Sequence, residues 1–116
     1  MSFSGSCHCG TVTFEVAGDP PTEAMSCNCS HCRRKGLLLS FQPAEALTIT
    51  AGEHGLADYL FNKHAITHRF CTTCGCQPFA QGKGPDGSAM AAVNLRCVPD
   101  IDLETVTIQK VDGASF

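Results

Sequence analysis

Basic residues are scarce in this chain. It carries 8 Lys and Arg against 11 Asp and Glu, a net charge of −3. That balance argues against a nucleic-acid partner, because phosphate binding needs a basic face. Long apolar runs are missing too. None approaches the roughly 20 residues that span a bilayer, so no membrane partner is expected. The opening segment Met1–Ser6 has neither the basic start nor the apolar centre of a secretion signal, and a cytoplasmic location is expected. Internal repeats, low-complexity stretches and linkers are absent, so residues 1–116 are read as a single domain. A domain of this length buries only a modest core. Gly82–Gly87 is glycine-rich but lacks the lysine-serine ending of a phosphate loop, and is read as a hairpin loop.

What the chain has is cysteine. Of its 9 cysteines, seven fall in three tight clusters: Cys7 and Cys9; Cys27, Cys29 and Cys32; Cys71 and Cys74. Cys76 follows the third cluster directly. An odd count argues against a complete disulfide framework, and cytosolic thiols stay reduced. Closely spaced thiols instead suit one metal ion. Cys7 and Cys9, in an extended strand, would point to the same face. Cys71-Thr72-Thr73-Cys74-Gly75 has the spacing of a zinc knuckle, with Gly75 permitting the tight turn and freeing backbone N–H groups for the thiolates. Together the two pairs complete a tetrahedral, closed, structural zinc site, whose binding would contribute directly to folding.

Cys27, Cys29 and Cys32 are three ligands without an adjacent fourth. Three protein ligands and an open position make a catalytic zinc arrangement. Cys76, His31 or Cys97 as a fourth ligand would close that site and make it structural; Cys76 itself is read as a spare buried thiol, with a swing ligand that yields to a substrate thiol as the alternative. Metal-free readings are a cluster of small buried hydrophobes or a redox set.

Elsewhere the pattern is that of short strands. Val12, Phe14 and Val16 alternate with polar residues, as do Leu47 and Ile49. Leu37–Phe41, Met90–Val93 and the stretch around Val106–Ile108 have strand lengths. Ala57–Phe61 and Ile66–Phe70 suggest a hairpin about Asn62-Lys63-His64. One helical turn fits Ser30–Lys35, closed by Gly36. The fold class is therefore all-β, built of several short antiparallel strands.

In order, Ser6-Cys7-His8-Cys9-Gly10, Cys27-Asn28-Cys29-Ser30-His31-Cys32-Arg33 and Phe70-Cys71-Thr72-Thr73-Cys74-Gly75 resemble the glutathione-dependent formaldehyde-activating enzyme family, which includes centromere protein V. Val93-Asn94-Leu95-Arg96-Cys97 and Val111-Asp112-Gly113 are similar to the family's end. The resemblance implies a small zinc-binding β-fold like that of the Rab-accessory zinc protein. It implies a structural zinc on Cys7, Cys9, Cys71 and Cys74 and a catalytic zinc on Cys27, Cys29 and Cys32, two ions per chain. The implied activity is that of a carbon–sulfur lyase, condensing glutathione with formaldehyde to S-hydroxymethylglutathione. Its partners would be a small thiol and an aldehyde. No side chain stands out as a general base; zinc lowering the thiol pKa would serve. The alternative is a protein-binding module with two structural zincs.

Among other residues, Arg33-Arg34-Lys35 is the only basic run, read either as a solvated turn or as an attraction for substrate carboxylates. His8 and His31 lie within ligand motifs and are expected to be partly exposed. Cys97 is read as a core residue rather than a ligand, and Tyr59 and Phe61 as core packing, with the lining of a pocket as their alternative.

Overall fold

The computed structural model describes residues 1–61 and 65–115. Among these, the chain runs β1 (Ser2–Ser6), β2 (Thr13–Ala17), β3 (Glu23–Cys27), α1 (Ser30–Lys35), β4 (Leu39–Pro43), β5 (Leu47–Ala51), β6 (Leu56–Tyr59), β7 (Thr67–Cys71), β8 (Phe79–Lys83), β9 (Ala89–Asn94) and β10 (Thr107–Val111). The fold is mostly β, as the alternation of apolar residues predicts. No helix among the described residues is long and apolar enough to cross a membrane.

The strands make two sheets. The smaller has the order β1-β2-β5, and the larger β10-β3-β4-β9-β8-β7-β6. Alternation decides which face of β2 is inside: Phe14 and Val16 are fully buried while Glu15 is exposed. Phe3 of β1 pairs with Val16, and Leu47 and Ile49 of β5 pair with Val16 and Phe14. This apolar face packs on Phe79 and Val93 of the larger sheet. The Phe14 and Phe79 rings meet edge-on, with centroids 5.8 Å apart, where the sheets touch. Ala24, Leu38, Leu95, Val98 and Val106 belong to the same cluster.

The expected hairpin forms, with β6 and β7 antiparallel from Leu56↔Cys71 to Tyr59↔His68. The turn assigned to Asn62-Lys63-His64 lies outside the described residues. The glycine-rich loop does join β8 to β9 as a hairpin. Gly84 N–H donates to Ser88 O at 2.8 Å, and Asp86 accepts from the Ser88 N–H and hydroxyl.

The expectation of antiparallel strands fails at one pairing. β10 runs parallel to β3, from Thr107↔Glu23 to Val111↔Cys27. A parallel pair needs a long crossover, which residues 28–106 supply. The consequence is functional, because it lays the chain's end beside the middle cysteine cluster. Three strands, β1, β3 and β8, carry no clear alternation in sequence. The residues of β3, Glu-Ala-Met-Ser-Cys, are poor strand formers. β3 is held by pairing on both sides, fully along β10 and at Met25↔Leu39 with β4.

Gly5 marks the tightest approach in the core. A Cβ there would overlap the Cys97 carbonyl oxygen and come within 2.6 Å of Phe14 Cζ. Gly5→Ala is therefore expected to lower stability by about 1–3 kcal/mol, the usual cost of overpacking. Thermal melts of the metal-loaded protein measure this, and an unchanged melting temperature would contradict the packing described.

Candidate metal centres

Two loops of equal length bring four thiols together. Cys7–Val12 follows β1, and Cys71–Cys76 follows the body of β7. Each closes with the same bond: Cys7 N–H donates to Val12 O at 3.0 Å, and Cys71 N–H to Cys76 O at 2.8 Å. Each turns at a glycine with left-handed backbone, Gly10 and Gly75, both at φ +80°. The glycine N–H bonds back to the first cysteine's carbonyl in both loops. Cys7 and Cys9 thus lie in a turn, not in the extended strand expected. The turn brings their sulfurs to the same point by another route.

The four sulfur atoms of Cys7, Cys9, Cys71 and Cys74 all lie within 4.8 Å of one another. Cys7 Sγ is 3.6 Å from Cys9 Sγ, and Cys9 Sγ is 3.7 Å from Cys71 Sγ. These separations are far longer than a disulfide bond. They match the edge of a tetrahedron of zinc–sulfur bonds, about 3.8 Å. Backbone donors surround the sulfurs: Val12 N–H to Cys7 at 3.3 Å and Thr73 N–H to Cys71 at 3.4 Å. The N–H groups of Cys76 and Cys9 hold the Cys74 thiol down at about 5. The Thr11 hydroxyl and N–H hold Cys9 below the usual thiol value. Burial pushes Cys7 up to about 11. A bound cation would offset that burial cost, so the donor set fits a metal.

Cys76 occupies in its loop the place that Val12 occupies in the other. Its carbonyl closes the turn, its N–H serves Cys74, and its side chain packs against the cluster formed by Cys7, Val12 and Cys71. It belongs to neither converging set of thiols.

The second set is Cys27, Cys29 and Cys32, also within 4.8 Å of one another. Cys27 ends β3, Cys29 caps α1, and Cys32 lies inside it. The cap is a cysteine in a place where Ser or Asp is usual: Cys29 Sγ accepts the Cys32 N–H at 3.3 Å. Cys27 Sγ accepts the Cys29 N–H at 3.4 Å. Burial opposes ionisation of Cys29, but the donors from Cys32, Cys27 and His31 prevail and hold its thiol below the ordinary value. Burial, and then the neighbouring cysteines, push Cys32 strongly up. Among the described residues, no fourth His, Cys, Asp or Glu atom joins this set. The three thiols instead border a cleft of about 470 Å³, lined by Cys27, Cys32, Arg33, Leu37, Arg96 and Lys110 among others.

His31 turns away from the thiols. Its ring stacks on Tyr59 and Phe61 at 5.5 and 5.3 Å and lies 4.0 Å from the His68 ring. Burial, and then Lys35, lower its pKa. His68 is buried, contacts Gln77 Nε2 at 3.1 Å, and burial pushes it down to about 4. Tyr59 and Phe61 are not core residues. β6 is the outer strand of its sheet, and both rings line a surface cleft with His31 and Phe70. His8 is exposed. Cys97 is a half-buried thiol near Asn94 Nδ2, and burial pushes it up to about 12.

Sequence reasoning missed the strap that closes over Cys27. Asn28 N–H donates to Val111 O at 3.1 Å and its Nδ2 to Asp112 at 3.0 Å, while Ala114 N–H returns to Asn28 Oδ1 at 2.9 Å. Ser115 Oγ donates to the other Asp112 oxygen at 2.7 Å. Gly113 sits against the cluster so closely that a Cβ would overlap Cys27 Sγ. The only signal in the sequence was the motif Val111-Asp112-Gly113 itself.

Gly113→Ala is expected to displace Cys27 Sγ and weaken metal binding at the three-thiol set by about 10- to 100-fold, the usual effect of disturbing a ligand's support. The four-thiol set should keep its affinity. Competition titration with a chromophoric chelator separates the two, and equal affinities in variant and wild type would contradict this role.

The model of the family described as glutathione-dependent formaldehyde-activating enzyme matches residues 2–107. A crystal structure of a Rhodobacter sphaeroides protein resembles this fold with a TM-score of 0.78 at 27% identity, covering 91% of this chain and 99% of that one. The family match takes in all seven clustered cysteines and the strands that carry most of them. The chain belongs to the glutathione-dependent formaldehyde-activating enzyme family.

Proposed function

We propose that this chain is a zinc-dependent enzyme of the carbon–sulfur lyase type, joining a small thiol such as glutathione to formaldehyde or another aldehyde, or running the reverse. One observation carries the reading. Four thiols form a self-sufficient set at the join of two loops, whereas Cys27, Cys29 and Cys32 converge as three beside a cleft. The first donor set suits a closed structural zinc and the second a zinc open to substrate, two ions per chain. The family match supports the chemistry.

Cys27, Cys29 and Cys32 would hold the catalytic ion. When bound there, zinc supplies an electrophilic centre that lowers the pKa of a thiol at neutral pH. In the reaction the substrate's sulfur adds to the aldehyde carbon. The carbon–sulfur bond forms, the carbonyl π pair moves to oxygen, and that oxygen takes up the proton that the thiol gave. The chain's own groups keep the sulfur ligands in place. The N–H groups of Cys29 and Cys32 fix Cys27 and Cys29, and the Asn28–Asp112 strap holds the Cys27 loop against the cleft. Leu37 and Leu38 supply apolar wall to the cleft beside the thiols.

The division of roles is testable by substitution. Cys29→Ser should leave a folded protein and cut the thiol–aldehyde exchange rate by about 100-fold or more, since even outlying supports of a metal ligand are worth 10–100-fold. Cys74→Ser should lower the melting temperature sharply, because metal binding there is coupled to folding. Exchange between glutathione and ¹³C-formaldehyde, followed by NMR, gives the first quantity and thermal melts the second. Unaccelerated exchange in the wild type, or equal destabilisation by both substitutions, would favour a binding module with two structural zincs.

A further inference from the structure

We infer that the cleft beside Cys27 and Cys32 selects thiols that carry carboxylate groups, with Arg96, Lys110 and Arg33 as its specificity-determining residues. This rests on the thiol-binding reading above and adds to it which thiols enter and what chooses them.

The charge in this cleft is opposite to that of the chain. The protein has 8 Lys and Arg and a net charge of −3. Three of those cations, Arg33, Arg96 and Lys110, line this one cleft. They come from three places in the fold: the last turn of α1, the short turn after β9, and β10. Their convergence depends on the parallel β3–β10 pairing, which sets Lys110 beside Ser26 and one residue from the Val111↔Cys27 pair.

Arg96 is anchored by its Nε–H, which donates to Gly36 O at 2.7 Å. That bond fixes the plane of the guanidinium and leaves its two Nη groups for a ligand. A fixed guanidinium is the side chain best suited to bidentate carboxylate binding. The acceptor is the carbonyl of Gly36, which caps the end of α1 in the left-handed conformation, φ +68°. One carboxylate also lines the cleft, that of Asp112. Both of its oxygens are engaged, one by Asn28 Nδ2 and the other by Ser115 Oγ. It serves the strap and does not pair with the three cations in any bond among the described residues. A cleft of about 470 Å³ is within the range that holds a small peptide-like ligand. The remaining basic residues of the α1 run, Arg34 and Lys35, line the aromatic cleft of His31 and Tyr59 instead. The basic run is therefore split, and only Arg33 faces the thiol cleft.

The test is calorimetric titration of the zinc-loaded protein with three thiols: glutathione, glutathione diethyl ester and 2-mercaptoethanol. Glutathione should bind at least about tenfold more tightly than the diester, and added salt should narrow that gap. Lys110→Gln and Arg96→Gln should each weaken glutathione about tenfold and leave the diester unchanged. Arg96→Gln also loses the bond to Gly36, so Lys110→Gln, an exposed side chain with no such bond, keeps the test sound. Equal affinities for acid and ester, or variants that weaken both alike, would overturn the selection and leave thiol binding intact. If none of the three thiols bound, the thiol-enzyme reading would fall with it.

Discussion

The four-thiol convergence is the constraint on which the rest of the structure depends. Cys9 and Cys71 lie 62 positions apart in sequence, yet their sulfurs are 3.7 Å apart. Each belongs to a loop turned by a left-handed glycine and closed by one backbone bond across its base. The loop after β1 belongs to the smaller sheet and the loop after β7 to the larger. A metal held by both loops would fix one sheet on the other, with the Phe14–Phe79 contact inside. With Cys7 and Cys71 fully buried, ionising the four thiols side by side is unfavourable unless a cation compensates their charge. A core this modest gains from such a staple.

The three-thiol set is built differently, from local geometry and a distant clasp. Cys29 caps a six-residue helix through its sulfur, and this sets Cys27 and Cys32 on either side. The chain's end then comes back along β3 and covers Cys27 with Gly113. Such a parallel return is costly in loop entropy but puts residues far apart in the sequence on one cleft. The proposed selectivity follows from it, since Lys110 and Asp112 arrive by that route while Arg33 and Arg96 arrive by others.

Much of the site was legible in the sequence because metal-type clusters are local. The spacing of Cys71 and Cys74 and of Cys27, Cys29 and Cys32 placed the thiols together, and the structure brings the same residues into two sets. The reason for Cys7 and Cys9 was misread. Extended strand and tight turn both bring neighbouring thiols together, and spacing alone does not separate them. Strands with alternation, such as β2 and β5, were visible; β1, β3 and β8 were not, because partners rather than side-chain pattern make them strands. The parallel pairing of β10, and with it the clasp over Cys27, lay beyond sequence reading. Nothing local in Thr107–Val111 names its neighbour. Tyr59 and Phe61 were misplaced in the core for a related reason, since sequence does not tell an outer strand from an inner one.

The difference between the two thiol sets is the central claim, and a crystal structure with anomalous data at the zinc absorption edge tests it most directly. The expected map has two zinc peaks. One is bonded to the sulfurs of Cys7, Cys9, Cys71 and Cys74. The other is bonded to those of Cys27, Cys29 and Cys32, with a non-protein atom as its fourth ligand facing the Arg96–Lys110 cleft. A single peak, or a second zinc closed by a fourth protein side chain, would contradict it.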